Sequence, residues 1–268
     1  MTSRERVETA LKHGTPDRVP IFEYVLLAPL SDTFLGRPHA GDPAHWPDAV
    51  QEMGFEAAVR QNAADRLDLA GILGHDMLFV PPAVPPSERT KGADSSELPS
   101  DPVERLLRRN AAAESAAPPP DGYFLLYECL KEEMAQRGID LPIMAPAYAH
   151  GVWTDTDLMQ SMLLAPKVAH RHFELATDRG LTLLKGYVAS GTDQIGVGGD
   201  FSGTRPLISP HAYREFIVPE VRRLSRAVHQ AGLWAVNASD GDLWPVIDDF
   251  LFGCEVDAFM EIDMHAGM

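Results

Sequence analysis

The sequence predicts an α/β fold with a parallel sheet. Short apolar runs alternate along the chain with stretches of helical periodicity, and turn residues sit at the junctions. The 268 residues are 45% hydrophobic and 23% charged, a composition suited to one large α/β domain with a real core. Alternation of this kind is compatible with a barrel or a doubly wound fold. A doubly wound fold usually carries a Gly-rich phosphate loop after its first strand, and none stands there.

The first element is a helix. Thr2 caps it with Glu5 three residues later, Val7, Ala10 and Leu11 form one face, and Gly14 stops it. A Pro16-Asp17-Arg18-Val19-Pro20 turn feeds the first strand, residues 21–27. Residues 47–70 read as a helix and 72–80 as a second strand. Residues 81–120 hold many of the 22 prolines and read as a loop-rich insertion within a single domain, 1–268. Beyond it, strands are expected at 141–148, 194–200, 233–237 and 256–263. Helices are expected at 157–164, 166–190 and 243–251. Ser209 and Pro210 open a further helix whose buried face is Tyr213, Phe216, Ile217, Val221, Leu224 and Val228, with a kink at Pro219.

The formal charge of -16 disfavours nucleic acid as a partner. The N-terminus has no apolar signal region, and no run of 18 apolar residues exists, so no membrane span is expected. Cys129 and Cys254 make no disulfide framework or CxxC motif. They read as small core hydrophobes in a reducing cytoplasm.

Several blocks resemble the uroporphyrinogen-decarboxylase-like superfamily. They are Ser3-Arg4-Glu5-Arg6-Val7 and Pro16-Asp17-Arg18-Val19-Pro20, then Gly191-Thr192-Asp193 through Gly199-Asp200 to Pro219. Ser239-Asp240-Gly241-Asp242, Val256-Asp257 and Glu261-Ile262-Asp263 complete the set. The resemblance implies a TIM (β/α)8-type barrel. Six strands are counted and the chain ends just after the last, so a barrel truncated after about six βα units is expected. Exposed sheet edges would then favour a homo-oligomer.

The arginine-bearing run of true uroporphyrinogen decarboxylases is replaced here by Phe22-Glu23-Tyr24-Val25-Leu26-Leu27. The resemblance is therefore to the branch of corrinoid-dependent methyltransferases and uncharacterised relatives. It implies methyl transfer to or from a corrinoid (cobalamin) cofactor or its carrier protein. Decarboxylation of a porphyrinogen or other acid, and non-catalytic binding of a tetrapyrrole or corrinoid protein, are the alternatives. The zinc branch uses His-x-Cys-Gly, and those places read Ala238 and Asp240, which argues against zinc.

In barrels the reactive groups stand at the carboxyl ends of the strands. That rule selects Asp240, Asp200 and Glu261 as catalytic candidates, and Asp240 and Glu261 as the ligands of any metal. It selects Glu23, Tyr24, His75, Tyr148, His150, Asn237, Ser239 and Asp263 as substrate or cofactor contacts. Each has a bland alternative. Asp200 and Asp240 suit turn and capping roles, and His75 and His150 suit structural ones. His39 and His45, in a proline-rich loop, are expected to be solvated.

Overall fold

The computed structural model describes residues 1–85 and 99–268. In chain order the elements are α1 (Ser3–Leu11), α2 (Leu30–Leu35), α3 (Trp46–Met53), α4 (Phe55–Leu73) and β1 (Leu78–Phe79). Then come α5 (Pro102–Glu114), α6 (Leu125–Arg137), β2 (Ile143–Pro146), α7 (Thr156–Leu164), α8 (Pro166–Ala189) and β3 (Gln194–Gly198). Last are α9 (Pro210–Ala212), α10 (Val218–Gln230), β4 (Trp234–Ala238) and β5 (Ala258–Met260). The chain divides into two compact units. One comprises Met1–Lys91, Pro119–Ala145 and Gly186–Asp193; the other Gly92–Pro118, Pro146–Lys185 and Gln194–Met268.

In the first unit, α1 begins with the expected capping box of Thr2 and Glu5. The stretch read as one helix over 47–70 is two, because Gly54 takes a φ of +83° and ends α3 before α4 starts. α4 packs against α6. Ala58, Val59, Ala63 and Leu67 are buried, as are Leu126, Tyr127 and Leu130. Each large apolar side chain so buried contributes roughly 1.5–3 kcal/mol before entropy is counted. The Tyr127 hydroxyl, the polar end of this core, donates to the Val80 carbonyl at 2.6 Å. β1 and β2 pair in parallel, with Leu78 opposite Ile143.

The expected first strand does not form. Residues 21–27 are irregular, and carboxylates engage flanking backbone groups that a ladder would otherwise use. Asp76 accepts from the Ile21 N–H and Asp42 from the Ala28 N–H. The second strand is also shorter than expected, because α4 runs on to Leu73. Five strands are therefore present among the described residues, where six were expected.

Asp76 is fully buried and organises the N-terminal segment. It accepts from Ser3 Oγ at 3.0 Å, Arg6 Nη1 at 2.6 Å, and Arg18 Nη1 and Nη2 at 2.7 and 2.9 Å. Burial opposes its ionisation, yet these donors together with the Ile21 N–H hold the carboxyl below its usual range. Two of the motifs that carry the family resemblance thus meet in one ion-pair network.

In the second unit, α5 lies inside the stretch expected to be loop-rich. Its signal was present in Asp101-Pro102: Asp101 accepts from the Val103 and Glu104 N–H groups, and proline sits at the first helical position. Residues 86–98 of that stretch lie outside the described residues. α5 packs on α7, where Arg105 and Arg109 pair with Asp157 and Asp155.

Ser209 caps α9 as expected, accepting from the Ala212 N–H. The kink at Pro219 takes the form of a π turn over Tyr213–Ile217, in which the Val218 N–H reaches back to the Tyr213 carbonyl. Proline lacks the N–H that a regular α ladder needs, and the wider turn accommodates that loss. The predicted apolar face is buried throughout. The helix expected over 243–251 is a 3-10 turn at Trp244–Val246 and a π turn at Asp249–Gly253. Both cysteines are buried and free, as expected. No described helix is long and apolar enough to cross a membrane.

Candidate active site

β3, β4 and β5 are adjacent and parallel in the second unit. Their register sets Gly198 opposite Ala238, and Ala238 opposite Met260. Asp200 and Asp240 therefore each stand two residues past the end of neighbouring strands, and Glu261 stands one residue past the next. Neighbouring strands are about 4.8 Å apart, so this register alone gathers three carboxylates at one sheet end.

The loops fix them there. The Asp240 N–H donates to Asp200 Oδ1 at 3.1 Å. Gly241 has a φ of +89°, and an added Cβ would lie 2.2 Å from the Gly203 carbonyl oxygen. Only glycine lets the loop after β4 rest so closely on the loop after β3. The Asp242 N–H donates to that same Gly203 carbonyl at 2.8 Å. Glu261 itself has a φ of +72°, in the left-handed region. Backbone strain at a non-glycine residue of this kind concentrates at functional sites.

Electrostatics makes the group a unit. Burial pushes the Glu261 carboxyl up to about 7, and the charges of Asp240 and Asp200 add to the effect. The Asp240 carboxyl is also raised, first by burial, then by Asp200 and Asp263. No basic group offsets either shift. Like charges held together in a partly desolvated site leave one carboxyl protonated near neutral pH. Glu261, raised the further of the two, is that carboxyl.

The remaining candidates divide. Asp263 caps the short turn Met264–Ala266, accepting from the His265 and Ala266 N–H groups. Ser239 accepts from the Phe201 N–H and donates to the Asp240 carbonyl, tying the two acid-bearing loops together. Asn237 donates to the Phe250 carbonyl and accepts from the Ala238 N–H, so its amide is engaged with backbone. His150 is fully buried, stacks on Phe173 and bonds through Nε2 to Thr177 Oγ1 at 2.9 Å. Burial lowers its pKa to about 4, so the ring is neutral at physiological pH. The Tyr148 ring packs over Gly196, where a Cβ would lie 2.3 Å away.

Glu23, Tyr24 and His75 belong to the first unit, where they line a cavity of about 430 Å³. The same cavity is lined by His39, Asn62, Arg66 and Trp46, none of which the sequence marked as functional. His39 is 5% exposed, which corrects the expectation that it is solvated. Its loop is drawn in by Asp65 of α4, which accepts from the Ala40 N–H and pairs with Arg37. His45 is half-buried and bonds to Asp32. The available signal was Asn62 and Asp65, polar residues on the face of α4 that also carries Ala58 and Leu69.

The residues at β4 do not fit a zinc centre. Zinc takes three or four N, S or carboxylate ligands, and Ala238 offers none. Among the described residues, no group of three or more His, Cys, Asp or Glu is arranged to hold a metal ion.

No protein-family model matches the chain, and no curated protein does. Among solved structures, a methyltransferase from Methanosarcina mazei superposes with a TM-score of 0.63 at 16% identity. The match covers 97% of this chain and 75% of that one. The likeness establishes a shared α/β fold.

Proposed function

We propose that this protein is a methyltransferase that moves a methyl group between a heteroatom and a corrinoid, with the acids after β3, β4 and β5 as its catalytic group. The observation that carries this reading is the parallel register that gathers Asp200, Asp240 and Glu261 at one sheet end, where burial and the neighbouring charges raise the Glu261 carboxyl to about 7. Such a reaction needs a proton at the heteroatom. A corrinoid, if bound, would accept or supply the methyl group; when that group leaves an amine, ether or thioether, the departing N, O or S takes up a proton. Glu261 supplies it. In the opposite direction a protonated acceptor must lose its proton as the methyl arrives, and the Glu261 carboxylate takes it. Burial first, and then the charges of Asp240 and Asp200, set the affinity of Glu261 for that proton. The fold shared with a methyltransferase is consistent with the reading.

The test is methyl exchange between free cobalamin and a panel of methylated amines, ethers and thioethers, followed by the cobalt absorbance. Glu261→Gln and Asp240→Asn are each expected to slow turnover about a hundredfold or more, the usual contribution of a positioned acid or base. Turnover by both variants at the wild-type rate would remove the cluster from the mechanism.

A further inference from the structure

The cavity of the first unit shares no residue with the carboxylate cluster and calls for its own explanation. Its volume, about 430 Å³, is that of a small-molecule site. Arg66 lines it. Two of the Arg66 nitrogens are engaged: Nε donates to Asn62 Oδ1 at 2.9 Å and Nη1 to the Phe79 carbonyl at 3.1 Å. The third, Nη2, makes no hydrogen bond, and no carboxylate pairs with the guanidinium, among the described residues. Burial lowers the pKa of Arg66, and the nearby Tyr127 and Asp65 offset that effect only in part.

Beside it stands His39, more than nine-tenths buried, with neither Nδ1 nor Nε2 in a hydrogen bond. Asn62 lies alongside without reaching hydrogen-bond geometry. Burial, and then the charge of Arg66, keep this ring neutral. A half-buried cation with no hydrogen-bonded carboxylate and a buried imidazole without a hydrogen bond each cost free energy. They face one cavity, and one anion would relieve both.

The walls narrow the choice of anion. Trp46, Leu69, Leu78 and Phe79 present apolar surface. The Trp46 N–H is already engaged with the Val84 carbonyl, so its ring offers only its faces and edges. Glu23, exposed, and Asp42 also line the space and oppose any second negative charge. We infer that the cavity binds a small monocarboxylic acid with a flat apolar body, its carboxylate on Arg66 Nη2 and His39 and its body against Trp46 and Phe79. An arginine whose two Nη2 N–H groups are free and a neutral imidazole N–H suit one carboxylate.

Benzoate is the probe, with benzamide as its neutral isostere and inorganic phosphate as the compact anion. Calorimetric titration of the full chain is expected to show benzoate binding at least about tenfold more tightly than benzamide or phosphate, a difference of about 1.4 kcal/mol. Benzoate should also shift the ring nitrogen resonances of His39. Arg66→Lys, which keeps charge but loses the fork, and His39→Leu are each expected to weaken benzoate about tenfold or more. Unchanged circular dichroism shows that a variant is folded. If a variant does not fold, the benzoate-to-benzamide ratio and the His39 shifts in the wild type decide alone. Equal affinity for benzoate and benzamide, tighter phosphate binding, or benzoate binding without a His39 response would each overturn the proposal.

Discussion

Replacing Asp76 with alanine is expected to destabilise the protein by about 3–5 kcal/mol, the range for breaking a buried ion pair by removing one partner. Asp76 has no exposed surface, and the Arg6 side chain that meets it is only 9% exposed. The substitution leaves Arg6 with Asp17 alone, leaves Arg18 without its carboxylate, and orphans the Ser3 hydroxyl and the Ile21 N–H. Urea unfolding measures the loss directly, and a change under about 1 kcal/mol would place the network outside the stabilising core. The same carboxyl predicts acid sensitivity. An acid whose folded pKa lies below its unfolded value binds fewer protons when folded. Its stabilisation is complete above the unfolded value of about 3.9 and is lost as pH falls below it.

Glu261→Gln is expected to act in the opposite sense on stability. Wild-type Glu261 titrates at about 7 in the folded protein. It therefore binds more protons folded than unfolded between the ordinary glutamate value and neutrality. Across that window wild-type stability falls as pH rises. The side chain is only half-buried, so solvent screening reduces the effect to about 1–2 kcal/mol. Glutamine removes the penalty. The variant should be more stable than wild type by that amount at pH 8.5 and equal to it near pH 4, in paired urea titrations. A variant that loses stability equally at both values contradicts the assignment. Gain of stability together with loss of turnover is the trade-off expected of a strained, charged functional group.

The contrast between these two residues shows what was legible in the sequence. Asp200, Asp240 and Glu261 follow apolar runs that end in glycine or turn chemistry, so strand ends, and the acids beyond them, were readable locally. Parallel register then brought them together without further information. Asp76 was legible as a residue in a strand region but not as a hub, because its arginine partner Arg6 lies 70 positions away. The same carboxyl, together with Asp42, also engages the two ends of the segment expected as the first strand. Residues 21–27 have the right composition, but Asp76 and Asp42 hold the backbone N–H groups of Ile21 and Ala28. The kink at Pro219 was foreseeable from the missing N–H; its form as a π turn was not. The cavity around Arg66 was hidden for a similar reason. It exists because Asp65 draws the 37–42 loop onto α4, and nothing local to His39 distinguishes it from a solvated loop histidine.

Carbon-13 NMR titration of the glutamate side-chain carboxyls, with Glu261→Gln to assign the resonance, is the most direct test of a coupled acid cluster. The Glu261 signal is expected to titrate with a midpoint near 7, and Asp240→Asn should move that midpoint down by removing the neighbouring charge. A midpoint in the ordinary glutamate range, or one indifferent to Asp240, would contradict the assignment of these carboxylates to a single proton-holding site.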